Sequence, residues 1–228
     1  MTNPTPAGTT LSCQSCGQRL RVPAADRDLT IRCPRCGTCR EIKHDTSKLH
    51  VGQRFAVVDV ETATSNNASI CQIGIVQFVD GRCVDRWSSL VDPGVAFDAF
   101  NIELHGITDE AVRSAPRLPE LLPDLRRRFV GQIVGCHTMF DRNAFGAACR
   151  RHGEPWLDVR WLDTAAVVRG TWTQFSRSGY KLDNIAGHLG ITFQHHDALE
   201  DAYAAGQVLL RAIEKTGIGV EEWYARTQ

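Results

Sequence analysis

Apolar and polar positions alternate along most of the chain in a way that predicts strands first and helices later. Residues 55–58 are apolar and run into two acids, which predicts a buried strand at 55–62. Residues 70–79 and 82–91 alternate around an Asp-Gly turn and predict a β-hairpin beside that strand. Further short strands at 132–137 and 159–162 alternate with helical stretches. The pattern predicts an α/β domain with a mixed five-stranded sheet flanked by helices.

Helices are predicted wherever the apolar spacing changes to three and four residues. Thr108 is predicted to cap one of them, and Gly190 and Gly217 are predicted to follow the ends of two others. The predicted helical ranges are 97–105, 108–115, 119–129, 139–152, 163–171, 181–189, 198–215 and 220–226.

Charge and hydropathy exclude few classes of protein. The 228 residues hold 26 Lys and Arg against 26 Asp and Glu, so no global basic field indicates a nucleic-acid partner. Residues 1–48 are mildly basic, with eight basic against four acidic side chains, and the remaining eighteen against twenty-two are mildly acidic. No apolar run approaches the roughly 18 residues of a membrane helix, and residues 1–10 do not resemble a secretory signal. We therefore expect a soluble intracellular protein with no membrane partner.

The first cysteines predict a small zinc-binding module. The spacing is C-x2-C, sixteen residues, C-x2-C, and a glycine follows each pair, as in zinc ribbons. One structural Zn²⁺ is expected to supply much of the folding free energy of so small a core. Cys39 is predicted to be a bystander, and residues 19–23 and 29–32 are predicted to pair as a hairpin. The predicted zinc ligands are Cys13, Cys16, Cys33 and Cys36.

These features divide the chain into four parts. Residues 1–10 are predicted to be a flexible N-terminus and residues 11–46 the zinc ribbon. Residues 47–53 are predicted to be a linker, and residues 54–228 the main domain.

Two acids at the end of the first long strand predict a cation site. Asp59 and Glu61 are two residues apart, so their side chains leave the strand on the same face. Two like charges held together near a core are unfavourable unless a cation compensates them, which favours a divalent metal. Asp141 follows the apolar strand at 132–137, and the carboxyl ends of parallel strands meet at one edge of a sheet. On its own, Asp141 is equally explained as a charge at a helix N-terminus.

A histidine and an acid flank the start of the last long helix. Asp197 is predicted to be the N-cap, with Glu200 as its capping-box partner, and both are therefore excluded from the site. His196 then lies on the preceding loop and Asp201 in the first turn, where the two can face one point. The neighbouring His195 is a competing candidate, and its alternative interpretation is a solvated loop residue.

In this order, Asp59-x-Glu61, Asp141 and His196-x4-Asp201 resemble the DEDDh group of 3′→5′ exonucleases, relatives of the proofreading subunit of bacterial replicative DNA polymerase. The resemblance covers about residues 54–210 and implies a ribonuclease-H-like fold. Residues 104–108 and 180–182 also match the group. Cys136-His137 departs from the His-Asn of many members, and the zinc ribbon lies outside the resemblance.

The resemblance implies a reaction with two Mg²⁺ or Mn²⁺ ions. By that similarity Asp59 bridges both ions, Glu61 and Asp201 complete one, Asp141 holds the other, and His196 accepts a proton from the attacking water. The residues expected to hold the terminal nucleotide, with ordinary loop packing as the equal alternative, are Thr62, Ala63, Leu104 and His105.

The sequence leaves the substrate open. A nucleic-acid 3′ end is the expected partner, with single-stranded DNA or a 3′ overhang favoured and RNA as the alternative. Another class of function is an adaptor for nucleic acid or protein, in which the zinc ribbon binds the partner and the nuclease domain is vestigial. A protein partner for the ribbon, and a place in the bacterial cytoplasm, are further expectations.

Overall fold

The structure, a computed structural model, describes residues 9–22, 29–42 and 47–228. The chain divides into two compact units between Lys48 and Leu49. The predicted flexible N-terminus lies outside the described residues except for its last two positions.

The first unit contains two separate β-hairpins. Strand β1 (Thr9–Ser12) pairs with β2 (Arg19–Val22), and β3 (Leu29–Arg32) pairs with β4 (Cys39–Ile42), both antiparallel. The prediction that 19–23 and 29–32 pair with each other was therefore wrong. Each C-x2-C-G segment makes the turn of its own hairpin, because Gly17 and Gly37 adopt positive φ angles of 73° and 76°. The signal in the sequence was the glycine after each cysteine pair.

The second unit is built on one five-stranded sheet with the order β7-β6-β5-β8-β9. Its strands are β5 (Arg54–Thr62), β6 (Ile70–Val79), β7 (Arg82–Leu90), β8 (Ile133–Cys136) and β9 (Arg160–Asp163). The first three pair antiparallel, and β8 and β9 run parallel to β5. The predicted mixed five-stranded sheet is confirmed.

The helices cover both faces of this sheet and match the predicted ranges to within a few residues. They are α1 (Ala99–His105), α2 (Asp109–Val112), α3 (Leu118–Phe129), α4 (Phe140–His152), α5 (Thr164–Thr171), α6 (Leu182–Leu189), α7 (Ala198–Thr216) and α8 (Val220–Arg226). No helix of the described residues has the length and hydropathy needed to cross a bilayer.

Strand β5 is buried on both faces, and its alternating side chains enter two different cores. Phe55 and Val57 pack with α5, α6 and α7 on one face of the sheet. Ala56, Val58 and Val60 pack with α3 and α4 on the other. Asp59 and Glu61 continue the first series, so both carboxylates leave the sheet on the face that α7 covers.

The residues just before β5 are hydrogen-bonded to the rest of the second unit. His50 Nε2 lies 3.1 Å from Glu214 Oε1 of α7, and Gln53 Oε1 accepts a hydrogen bond of 2.8 Å from the Val220 amide. These bonds fix the entry of the chain into β5.

Helix α7 begins unusually close to the sheet. A Cβ at Gly74 of β6 would lie 2.3 Å from backbone atoms of Ala198 and Leu199. Gln72, on the same strand, accepts a hydrogen bond of 3.2 Å from the Ala198 amide through its side-chain oxygen. Because Gly74 pairs with Asp59, the glycine brings the first turn of α7 against the acid-bearing part of β5.

We expect Gly74→Ala to lower the free energy of unfolding by about 1–3 kcal/mol, because the new methyl group meets backbone that must shift. Gly187→Ala on α6 is the control, since its Cβ would meet nothing within 4 Å. We expect the control to be neutral or more stable by up to about 1 kcal/mol. Denaturant unfolding of both variants checks this, and equal stabilities would contradict it.

Candidate active site

Three carboxylates converge at the end of β5 that extends beyond its pairing with the parallel strand β8. One carboxylate oxygen from each of Asp59, Glu61 and Asp201 lies within 4.8 Å of the other two. Strand β8 pairs with β5 only as far as Val57, so the strands part beyond that residue and open a crevice at their carboxyl ends. Ligands collect at this position in parallel and mixed sheets. Sequence reasoning had placed the three acids in one site, and the structure brings them together.

Asp141 lies beside this group but outside it. The side chain is 2 % exposed, and Oδ1 accepts a hydrogen bond of 2.9 Å from the Val60 amide. That amide is available because β8 no longer pairs with β5 at this level. Asp141 therefore approaches the three acids from α4, on the opposite face from α7, and is not among the residues that line the cleft, so its role as a metal ligand stays a prediction.

The first turn of α7 separates a capping acid from a site acid. Asp197 accepts hydrogen bonds from the amides of Leu199 and Glu200, at 3.0 and 3.2 Å, as an N-cap does. The predicted capping box is not formed, because the Glu200 carboxylate pairs with Arg86 of β7 instead. Asp201 faces the crevice and is 3 % exposed.

The loop before α7 wraps around the Asp201 carboxylate. His195 Nδ1 lies 2.7 Å from Oδ1, and the His196 amide donates to Oδ2 at 2.8 Å. His196 has a φ of 65°, a left-handed conformation that costs non-glycine residues about 1–3 kcal/mol. Within residues 9–22, 29–42 and 47–228, its ring nitrogens form no hydrogen bond. The bond from His195 contradicts the interpretation that this residue is merely solvated.

The acids raise one another's pKa values because they are enclosed and near each other. Burial, followed by the charges of Asp201 and Asp141, raises the pKa of Glu61 to about 8. Burial raises the pKa of Asp141 to about 7, although the Val60 amide opposes the change. Burial and then the neighbouring acids raise the pKa of Asp59 well above its usual value. Such a cluster either keeps protons or binds a cation, and its donor set of hard oxygens fits Mg²⁺ or Mn²⁺.

The four residues predicted to contact the nucleotide differ in their exposure and in their hydrogen bonds. Leu104 is 40 % exposed, whereas Thr62 and Ala63 are buried. His105 uses both ring nitrogens for backbone: Nδ1 accepts from the Ile107 amide at 3.0 Å, and Nε2 lies 3.2 Å from the Thr62 carbonyl. Nε2 therefore carries the proton. His105 holds α1 to the end of β5, and direct contact of these residues with substrate stays a prediction.

Sequence reasoning missed a second residue that binds the same carbonyl. Asn101 Nδ2 donates to the Thr62 carbonyl at 2.7 Å, so two side chains of α1 fix the backbone directly after Glu61. No sequence pattern predicts this hydrogen bond, because the bond depends on how α1 packs against the sheet.

The three acids line a cleft of about 630 Å³. His137 forms part of its wall, with Nε2 2.9 Å from the Tyr180 carbonyl and Nδ1 3.1 Å from Thr164 Oγ1. Burial lowers the pKa of His137, so the ring is neutral and holds the segment that contains Lys181. The lining residues not assigned to the site from the sequence are Val60, His137, Thr138, Ala165, Arg169, Tyr180, Lys181, Leu182 and His195.

The four predicted zinc ligands also come together. Cys13 Sγ and Cys36 Sγ lie 3.6 Å apart, and Cys16 Sγ and Cys33 Sγ lie 3.7 Å apart. Four sulfurs at about 2.3 Å from a tetrahedral Zn²⁺ would be separated by about 3.8 Å, so the cluster fits that ion. Hydrogen bonding with Thr38 lowers the pKa of Cys36 to about 6, which favours the thiolate that zinc requires. The pKa of Cys16 moves the other way: although its backbone bond with Gln18 opposes the change, burial and the neighbouring sulfurs raise it to about 12.

The fold and acid cluster define an α/β protein of the nuclease type, and comparison with known proteins gives the family. Residues 56–209 match the RNase_T exonuclease family. The match covers more than half of the chain, so the chain belongs to this family, and the resemblance drawn from the motifs is confirmed.

A sequence relative agrees with the assignment, and two solved structures share the fold. The PolC-type DNA polymerase III of Clostridium perfringens is 32 % identical over 166 residues, which are 71 % of this chain but 11 % of the polymerase. Exonuclease X, solved with 5′-overhanging duplex DNA, superposes with a TM-score of 0.61 at 22 % identity and covers 76 % of this chain and 99 % of its own. The nuclease domain of 3′hExo, a DEDDh family member bound to rAMP, gives 0.62 at 16 % identity, covering 72 % and 93 %. The chain thus spans about a tenth of the polymerase relatives it matches.

We expect Glu61→Gln to stabilise the protein in buffer free of Mg²⁺ and Mn²⁺, and only above about pH 4.5. Because the pKa of Glu61 rises from 4.5 to about 8 on folding, the folded state holds its proton after the unfolded chain has lost it. Wild-type stability therefore falls between these two pH values by about 1.4 kcal/mol per pH unit relative to the variant. Denaturant unfolding of both proteins from pH 4 to 8.5 tests this, and parallel curves would contradict it.

Proposed function

We propose that the protein is a metal-dependent 3′→5′ exonuclease that releases nucleoside 5′-monophosphates, most effectively from single-stranded DNA or 3′ overhangs. The observation that carries this proposal is the group of Asp59, Glu61 and Asp201, with oxygens within 4.8 Å of one another in an open cleft. Membership of the RNase_T exonuclease family supports hydrolysis of phosphodiester bonds as the reaction class. The cytoplasm is the proposed location of the protein.

The donors around the cleft suit two divalent cations. Asp59 would contact both, Glu61 and Asp201 would complete the site on their side, and Asp141 would support the other through water. When bound, such cations neutralise the phosphoryl oxygens and the leaving 3′-oxygen and lower the pKa of the attacking water. The carboxylates' own task is to hold this charge at the carboxyl end of β5.

His196 is the proposed general base. It lines the cleft beside Asp201, and its ring nitrogens are not engaged by other described residues. Burial, followed by the proximity of His195, lowers the pKa of His196, so the ring is neutral and can accept a proton at neutral pH.

The terminal nucleotide is proposed to lie between the acids and α1. Exposed Leu104 and Phe100 are four residues apart on that helix and offer apolar surface on which a base can stack. Nothing in this surface reads a 2′-hydroxyl, so a 3′→5′ exoribonuclease is the alternative within the same class.

We expect Asp59→Ala to reduce hydrolysis by at least about a hundredfold, since a direct metal ligand contributes more than the outer partners whose loss costs 10- to 100-fold. The assay is digestion of 3′- and 5′-labelled single-stranded DNA, duplex DNA and RNA with Mg²⁺ or Mn²⁺. Mononucleotide release from the 3′ label in wild type is the expected polarity.

Asp197→Asn is the matched control for Asp59→Ala. It removes a carboxylate near the cleft but keeps the N-cap, because asparagine caps helices as well as aspartate does. Activity of Asp59→Ala equal to that of the control would refute the catalytic assignment. Specific DNA binding by an inactive wild type would support the adaptor function.

The ribbon is proposed to hold one structural Zn²⁺ and to serve binding rather than chemistry. Its described surface carries the exposed side chains of Arg19, Arg32, Arg35 and Arg40. No large apolar side chain described in the ribbon is exposed, so this surface suits a phosphate backbone better than an apolar protein groove. A protein partner for the ribbon stays a prediction.

We expect Cys36→Ser to remove the bound zinc while leaving hydrolysis of a trinucleotide unchanged, because the carboxylate cleft belongs to the other unit. Cys39→Ser is the control: Cys39 is exposed and outside the four-sulfur cluster, so this variant should retain one zinc per chain. Measurement of the zinc content of both purified variants tests this ligand assignment. Zinc loss in the control alone would overturn the ligand assignment.

A further inference from the structure

His195 makes three contacts that a solvated loop residue would not make. Its ring lies against His196 with centroids 3.9 Å apart and planes 21° apart, and it meets the ring of Phe193 edge-on at 5.6 Å. Its Nδ1 lies 2.7 Å from Asp201 Oδ1. Phe193 in turn packs on the core between the sheet and α7. A chain of contacts therefore leads from the hydrophobic core through His195 to both His196 and Asp201.

The bond to Asp201 has a defined direction. An ionised carboxylate only accepts hydrogen bonds, so when Asp201 is ionised, as metal binding requires, His195 Nδ1 carries the proton and donates it. The His196 amide donates to the other oxygen, so each oxygen keeps lone pairs for a cation. Hydrogen bonds of this kind fix the orientation of a metal-binding carboxylate.

The stacking contact supports the neighbouring ring. His196 adopts a left-handed backbone conformation, which persists only where the surroundings hold it. Its amide bond to Asp201 fixes the backbone, and the flat face of His195 restricts the ring. Both members of the proposed base and metal-ligand pair are thus held by one residue.

We propose that His195 is a positioning residue of the active site, which orients the Asp201 carboxylate through Nδ1 and the His196 ring through stacking. The role of His196 as base rests on the proposed function, whereas the orientation of Asp201 does not. The two contacts are separable by substitution, since one needs an N–H donor and the other needs a ring.

Three substitutions separate the contacts. His195→Phe keeps the ring but removes the donor, and His195→Asn keeps an N–H donor near the place of Nδ1 but removes the ring. His195→Ala removes both. His196→Ala is measured beside them, and metal-free thermal unfolding of every variant shows whether the fold is intact.

The first measurement is Mn²⁺ binding without substrate, by calorimetry and by Mn²⁺-induced thermal stabilisation. We expect His195→Phe and His195→Ala to weaken Mn²⁺ binding about 10- to 100-fold, and His195→Asn to remain within about threefold of wild type. This result stands even if the protein hydrolyses no nucleic acid, so its failure is distinct from failure of the proposed function.

The second measurement is kcat, KM and the pH profile on a single-stranded oligonucleotide at saturating Mn²⁺. We expect His195→Asn to lower kcat about tenfold with KM unchanged and to keep the wild-type pH profile. His196→Ala should lower kcat about 10²–10⁴-fold. It should also lose the limb of the pH profile that reports the protonation of the general base. Wild-type metal affinity in His195→Phe together with wild-type kcat in His195→Asn would overturn the proposal. So would a pH limb lost in His195→Ala and retained in His196→Ala.

Discussion

The structure of the site depends on holding like charges together at the end of one strand. Asp59 and Glu61 follow from the two-residue period of β5, but Asp201 must be brought to them from a helix. Gly74 allows the first turn of α7 to lie against the sheet, and Gln72 fixes that turn through the Ala198 amide. The resulting repulsion and burial are visible in raised pKa values, so the fold maintains an arrangement that a bound cation would relieve.

The sequence was sufficient for the signals that no distant segment overrode. The period of β5 placed two acids on one face, and the N-cap preference separated Asp197 from Asp201 without any tertiary contact. Signals that depend on contacts between distant segments could not be read. The strands of the ribbon were paired across the wrong residues because either pairing satisfies the alternation, and Glu200 found Arg86 on another strand rather than its own helix terminus.

Backbone strain coincides with the cleft. Outside glycine, the described residues adopt positive φ at only three positions: Asp80 in a hairpin turn, Thr138 at 81° and His196 at 65°. The last two both line the cleft. Each is tied to an acid, since the Thr138 amide donates to Asp163 and the His196 amide donates to Asp201. Strained residues persist where their surroundings over-determine them, and here those surroundings are Asp201, one of the three site acids, and Asp163, the N-cap of α5.

The same pKa shifts connect folding, metal binding and proton transfer. Ligands must lose their protons to bind a cation, so metal affinity rises with pH until the acids are ionised, which for Glu61 alone would be near pH 8. His196 must also lose its proton, which leaves its ring neutral, and its lowered pKa allows this as the pH rises. Ionised carboxylates and a neutral imidazole are therefore favoured together as pH rises. A bound cation lowers the pKa values of the acids and so extends this state toward neutral pH. The negative charge that destabilises the metal-free cluster is therefore the charge that binds the metal.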